Sequence, residues 1–181
     1  MKISAKTIAY LALITAIAVI ANVLEWPIDA LGGAIAFTYI PYFLGGYYFG
    51  PAAGFLVGVI GDVLGCIIFP KGAWLPLMTL ASGLMGAIPG LVRYLPIKRR
   101  WHLVISYLTV FIVCSAGLNT FTVWYSFFAS KKSFWIFLLG KLPISVPNML
   151  VNLVMNFMMM PVFDRIIAPR VKKEEKVREA A

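Results

Sequence analysis

Acidic side chains are scarce in this sequence: seven Asp and Glu among 181 residues, against sixteen Lys and Arg. Charged residues of both signs make up only 13% of the chain. A soluble domain carries roughly a quarter, so this composition cannot cover a water-facing surface of ordinary size. Cysteine is limited to Cys66 and Cys114, both inside apolar runs. A secreted disulfide scaffold needs more cysteines, set in loops, and these two read as small packing residues. The one histidine, His102, stands alone, and no Cys/His cluster has metal-ligand spacing. Neither a metal nor a cofactor is expected. There is no Gly-x-x-x-x-Gly-Lys-Ser/Thr run and hence no P-loop for ATP. Nucleophile motifs and paired catalytic carboxylates are missing too, so the chain reads as something other than an enzyme. No convincing inverted repeat divides it into the halves of a secondary transporter.

What fills the chain is apolar: 61% of residues are hydrophobic, and the mean hydropathy is +0.90. A membrane-spanning helix takes about 20 such residues, so the chain holds six with short loops and no separate soluble domain. The expected fold is all-α, a polytopic membrane protein built as a six-transmembrane-helix bundle over 1–167. A charged tail, 168–181, is expected to be disordered and cytoplasmic. Helices are predicted over about 4–24, 38–49, 51–68, 76–93 and 103–128. A sixth begins between Phe134 and Pro143 and ends near Asp164. Lys2 and Lys6 before Ala16-Ile17-Ala18 give the first segment a leader-like look, but the apolar run over 8–24 is long for a leader, so a retained helix is expected.

The positive charge is one-sided. With the N-terminus inside, twelve of the sixteen Lys and Arg face the cytoplasm, including Arg93, Lys98, Arg99 and Arg100 and those of the tail. Lys71, Lys131, Lys132 and Lys141 fall on or near the outer side. The positive-inside rule selects this multi-pass cell-membrane topology, with both termini cytoplasmic. The basic charges border membrane segments, so high net charge here does not signal nucleic-acid binding.

Polar residues inside the spans are costly and normally face protein or water. Asp62 lies in the third helix, either as an acceptor for a neighbouring helix or as a ligand carboxylate near the outer mouth. In the sixth helix Lys141, Ser145, Asn148, Asn152 and Asn156 share one face. The outer members, Lys141 and Asn148, are expected to contact ligand, and the inner ones to brace helices. Pro143 and Pro147 disturb the backbone there, which is tolerated where it is buried in protein or lines a cavity. Asn119 and Trp124 in the fifth helix, Trp26 and Trp74 in outer loops, and Lys71 converge on the same end. Trp124 also suits interfacial anchoring. Aromatic faces with a few amides and charges fit a flat, polar, heteroaromatic ligand. On helix 1, Ala5, Ala9, Ala12 and Ala16 make one small-residue stripe. It serves either internal packing or docking of another membrane subunit.

Phe49-Gly50-Pro51-Ala52-Ala53-Gly54, Gly61-Asp62-Val63-Leu64-Gly65, Phe69-Pro70-Lys71-Gly72-Ala73-Trp74-Leu75-Pro76 with Thr79, and Leu118-Asn119-Thr120 together resemble the substrate-binding S components of energy-coupling factor (ECF) vitamin transporters, most of all the folate-specific members. The resemblance covers about residues 5–160. It implies a six-helix bundle that captures a vitamin from outside. It also implies docking through helix 1, at Ala12-x-x-x-Ala16, onto a transmembrane coupling subunit driven by two ATPase subunits, and toppling in the membrane to deliver the ligand. Trp74-Leu75-Pro76-Leu77-Met78-Thr79 lacks a glycine and a phenylalanine of the folate-specific pattern, and Lys141 stands where an arginine is common. The expected ligand is folate: Asp62 would accept from the N–H edge of the pterin, and Lys71 or Lys141 would meet its dianionic tail. The alternatives are another vitamin (hydroxymethylpyrimidine or thiamine, pantothenate, riboflavin) or a stand-alone carrier.

Overall fold

The computed structural model describes residues 5–28, 33–70 and 72–166; the side chains of 26–28 and 33–34 are not described. Lys71 and the tail over 168–181 therefore lie outside the described residues. The described residues form six helices: α1 Ala5–Val23, α2 Tyr39–Phe49, α3 Pro51–Ile68, α4 Pro76–Val92, α5 Arg99–Phe128 and α6 Phe134–Ile166. The all-α bundle expected from hydropathy is what the chain forms. α1, α3, α5 and α6 are long and apolar enough to cross a membrane. α4 has 17 residues and α2 only 11, about 16 Å of helix against a hydrocarbon core of about 30 Å. α2 is accordingly a core element, buried almost continuously from Ile40 to Tyr48.

Three details sharpen or differ from the sequence reading. The segment expected as a plain loop between α1 and α2 contains a small antiparallel hairpin, β1 Trp26–Ile28 with β2 Gly33–Ile35, in which Trp26 pairs with Ile35. α6 starts at the early limit, Phe134, and stays helical through Pro143, Pro147 and Pro161. α5 begins four residues before the expected Leu103 and widens into π-type turns over Phe111–Asn119 and again over Trp124–Phe128. Such turns are frequent at functional sites.

The bundle is apolar outside and partly polar inside. Ile8, Leu13, Ile17 and Ile20 of α1 are exposed, as are Leu56, Ile60 and Leu64 of α3. In water this arrangement would be penalised; in lipid it is the favourable one. α3 packs on both α1 and α4, and α2 lies against α3 and α4. The close approach of α2, α3 and α4 depends on glycine. A Cβ on Gly46 or Gly54 would collide with the Gly86 carbonyl, and one on Gly86 with the Gly54 carbonyl. Small residues at such crossings let backbones meet and gain van der Waals contact, the main source of helix association in lipid.

One end of the bundle, the hairpin end, gathers the β1–β2 hairpin and the α3–α4 and α5–α6 connections. The opposite, basic end is tied by Arg93, whose Nη1 donates to the carbonyls of Tyr47 and Tyr48 at 3.1 and 3.0 Å. There Arg99 also pairs with Asp164, and the Tyr48 hydroxyl donates to the same carboxylate at 2.6 Å. These contacts join α2, α4, α5 and α6.

Candidate functional site

Asp62 sits six residues before the end of α3, about 10 Å inside the hairpin end at 1.5 Å per residue. It is 9% exposed. Its Oδ2 accepts from the Thr79 hydroxyl at 2.6 Å. Its Oδ1 accepts from Ser82 Oγ at 3.2 Å and from Asn22 Nδ2 at 3.3 Å. The carboxyl group thus knits α1, α3 and α4 together. Two oxygens offer about four lone-pair positions, so three donors leave room for one more. The chain of bonds continues outward, because Trp74 Nε1 donates to Thr79 Oγ1 at 2.9 Å while the indole itself is 55% exposed.

Thr79, Ser82 and Asn22 were not singled out as site residues from the sequence. Thr79 and Ser82 lie three apart on α4 and therefore share a face, which is a readable signal. Asn22 is a lone amide in an apolar helix. Its pairing with a residue forty positions away is a tertiary fact.

The polar stripe of α6 is split between two tasks. Asn152, fully buried, donates from Nδ2 to the Ala36 carbonyl and to the Asn148 carbonyl, each at 2.8 Å. Asn148 Oδ1 accepts from the Ala36 amide at 3.3 Å. The two asparagines grip both backbone groups of the residue that follows β2, so the hairpin segment is seated on α6. Asn156 Nδ2 donates to the Tyr107 hydroxyl at 2.6 Å, and that hydroxyl donates to the Asn152 carbonyl at 3.3 Å. The side-chain oxygens of Asn152 and Asn156 remain without partners. No sequence pattern marks Ala36 as the partner, because the contact uses its backbone.

Lys141 is the buried cation of α6, 7% exposed and seven residues from the start of the helix. That is also about 10 Å inside the hairpin end. The charge of Glu25 acts on it. Asn119 is half-buried on α5, with Oδ1 lacking a partner. Trp124 turns to the α5–α6 connection, where its Nε1 donates to the Lys132 carbonyl at 2.8 Å and its ring meets Phe134 edge-on. An open hollow of about 530 Å³ lies over this turn, lined by Trp124, Lys131, Lys132, Phe134 and Trp135 among others. Of Trp26 only the backbone is described, in β1 at the same end. The four alanines of α1, Ala5, Ala9, Ala12 and Ala16, are all exposed, whereas Ala18 and Ala21 are buried. The stripe is thus not used for packing within the bundle.

Known proteins resemble the chain at three levels. In structure it matches "Crystal structure of FolT bound with folic acid" with a TM-score of 0.72 at 23% identity, over 86% of this chain and 93% of the other; this is a likeness of fold. In sequence it is 35% identical to the "Folate transporter FolT" of Clostridium novyi (strain NT) over 100 residues. That alignment takes in 54% of this chain and 55% of the relative, so the chain spans about half the length of the curated relative it matches. The family model described as "ECF-type riboflavin transporter, S component" matches residues 2–168, a range that contains all six helices and every contact described above, and the chain belongs to that family.

Proposed function

We propose that this S component binds folate at the hairpin end and presents it to an ECF importer. The observation that carries the reading is the pair of opposite charges buried at equal depth: Asp62 on α3 and Lys141 on α6, each about 10 Å inside the hairpin end. A buried charge is retained at such depth only with a partner of suitable chemistry. Folate adds a partner to each, an N–H-rich pterin edge for the remaining position on Asp62 and an anionic tail for Lys141 beside Glu25. Trp74 and Trp124 offer aromatic faces, Asn119 and Asn148 complete the proposed contacts within the described residues, and Trp26 and Lys71 are proposed from the sequence alone. The folate-transporter relative points the same way.

Riboflavin is the second reading, favoured by the name of the matching family. It is uncharged and brings no anionic group of its own to Lys141, leaving that lysine with Glu25 alone. Calorimetric titration of the purified protein with folate, riboflavin, thiamine and pantothenate tests the choice. Folate should bind well below micromolar and riboflavin weakly or not at all. Tight riboflavin binding without folate binding would overturn the folate assignment. Failure of every vitamin would overturn vitamin capture itself.

Ala5, Ala9, Ala12 and Ala16 are proposed as the docking face for the transmembrane coupling subunit, which two ATPase subunits drive. Small exposed side chains allow a partner helix to approach closely. The excess of Lys and Arg at the basic end supports a cytoplasmic location for that end and for both termini, so that the hairpin end faces outside.

A further inference from the structure

The hollow over the α5–α6 turn has a built frame that shares only Trp124 with the folate contacts proposed above. The amides of Lys131 and Lys132 both donate to the Phe128 carbonyl, at 2.9 and 3.0 Å. The Trp124 indole pins the Lys132 carbonyl at 2.8 Å, and the Phe137 amide donates to the Ser133 carbonyl at 3.1 Å. With the backbone held by these four bonds, both lysine side chains are exposed, and neither forms an ion pair among the described residues. Trp124, Phe134 and Trp135 wall the hollow with aromatic surface.

One face of α6 runs from the hollow toward Lys141. Phe134, Phe137 and Lys141 follow spacings of three and four and therefore share one face of α6. Exposure falls along that face: Phe134 is half-buried, Phe137 is 5% exposed and Lys141 7%. Phe137 is braced by a stack on Phe128, with ring centroids 4.8 Å apart. Two open cations at the rim and one buried cation about 10 Å further in, with aromatic rings between them on one helix face, suit an aromatic molecule with an anionic end.

We propose that this hollow is an anion-capture subsite. Lys131 and Lys132 draw in the carboxylate-bearing tail of the vitamin, which then moves along the Phe134–Phe137 face until it meets Lys141. The inference rests on the folate reading and deepens it: the favoured ligands are those with more than one carboxylate. Attraction by exposed charges acts on encounter, so it raises the association rate and is screened by salt.

The test is stopped-flow tryptophan fluorescence on detergent-purified protein, comparing wild type with K131Q/K132Q and K131R/K132R. Folate carries two tail carboxylates, and pteroic acid carries one. For folate, the Gln pair should slow association about tenfold at low salt, within the range of electrostatic steering, and leave dissociation unchanged. The Arg pair should keep the wild-type rate, and pteroic acid should lose less than folate. If folate binds the wild type and its association rate is the same in the Gln pair, the capture subsite is overturned while the folate reading stands. If folate fails to bind the wild type at all, the folate reading is overturned and the subsite with it.

Discussion

The Thr79 hydroxyl donates to Asp62 Oδ2 at 2.6 Å while itself accepting from the exposed Trp74 indole. A buried carboxyl group is thereby wired, through one hydroxyl, to a side chain at the mouth of the bundle. The arrangement makes Asp62 both a helix-to-helix tie and a group two hydrogen bonds from an exposed side chain.

Thr79→Val keeps the shape of the side chain and removes that hydroxyl. Losing the donor leaves a buried acceptor short of a partner, at a cost of about 1–3 kcal/mol. The thermal midpoint should fall, and folate affinity should fall with it because Trp74 loses its anchor. Asp62→Asn should abolish tight folate binding. An Asn variant with wild-type affinity, measured by calorimetry, would make Asp62 a purely structural tie.

Lys141→Gln should weaken folate binding about 10- to 100-fold, the effect of one charge-assisted hydrogen bond of ~1.5–3 kcal/mol. Equal affinity of wild type and variant for folate would remove Lys141 from the site.

Ala12→Trp with Ala16→Trp should leave vitamin binding and stability intact, since both positions are exposed and surface substitutions usually stay within about 0.5 kcal/mol. Uptake by vesicles containing the whole importer should be lost. Normal uptake in the double variant would rule out docking through this stripe.

Asn152→Leu removes the amide that holds the Ala36 carbonyl at 2.8 Å. Amide hydrogen exchange over 33–37 should quicken about fivefold, as expected for a bond contributing ~1 kcal/mol. Exchange at the wild-type rate would mean that the hairpin segment is seated by other contacts.

Much of the bundle is legible in the sequence because hydropathy is a local property. Long apolar runs bounded by Gly50-Pro51, by the Phe69–Trp74 turn and by the Arg93–His102 basic stretch mark the helices without reference to any neighbour. The shared face of Lys141, Ser145, Asn148, Asn152 and Asn156 follows from helical spacing alone. Spacing also makes a stripe of Ala5, Ala9, Ala12 and Ala16, but not its direction.

Only the tertiary structure decides what each face meets. A helix in lipid can present any polar residue inward, and the rotation that wins is the one whose donors and acceptors find partners on other helices. That rotation turns Asn22 toward Asp62 and brings the Thr79–Ser82 face to the same carboxyl group. It leaves the alanine stripe outside and Ala18 inside, and it spends the inner asparagines on the Ala36 backbone and Tyr107. The composition and charge of the sequence determined a membrane bundle with a basic end. The packing of its helices decided which of its few polar groups became ties and which were left facing the mouth, because hydrogen bonds between helices depend on distances that no single segment encodes.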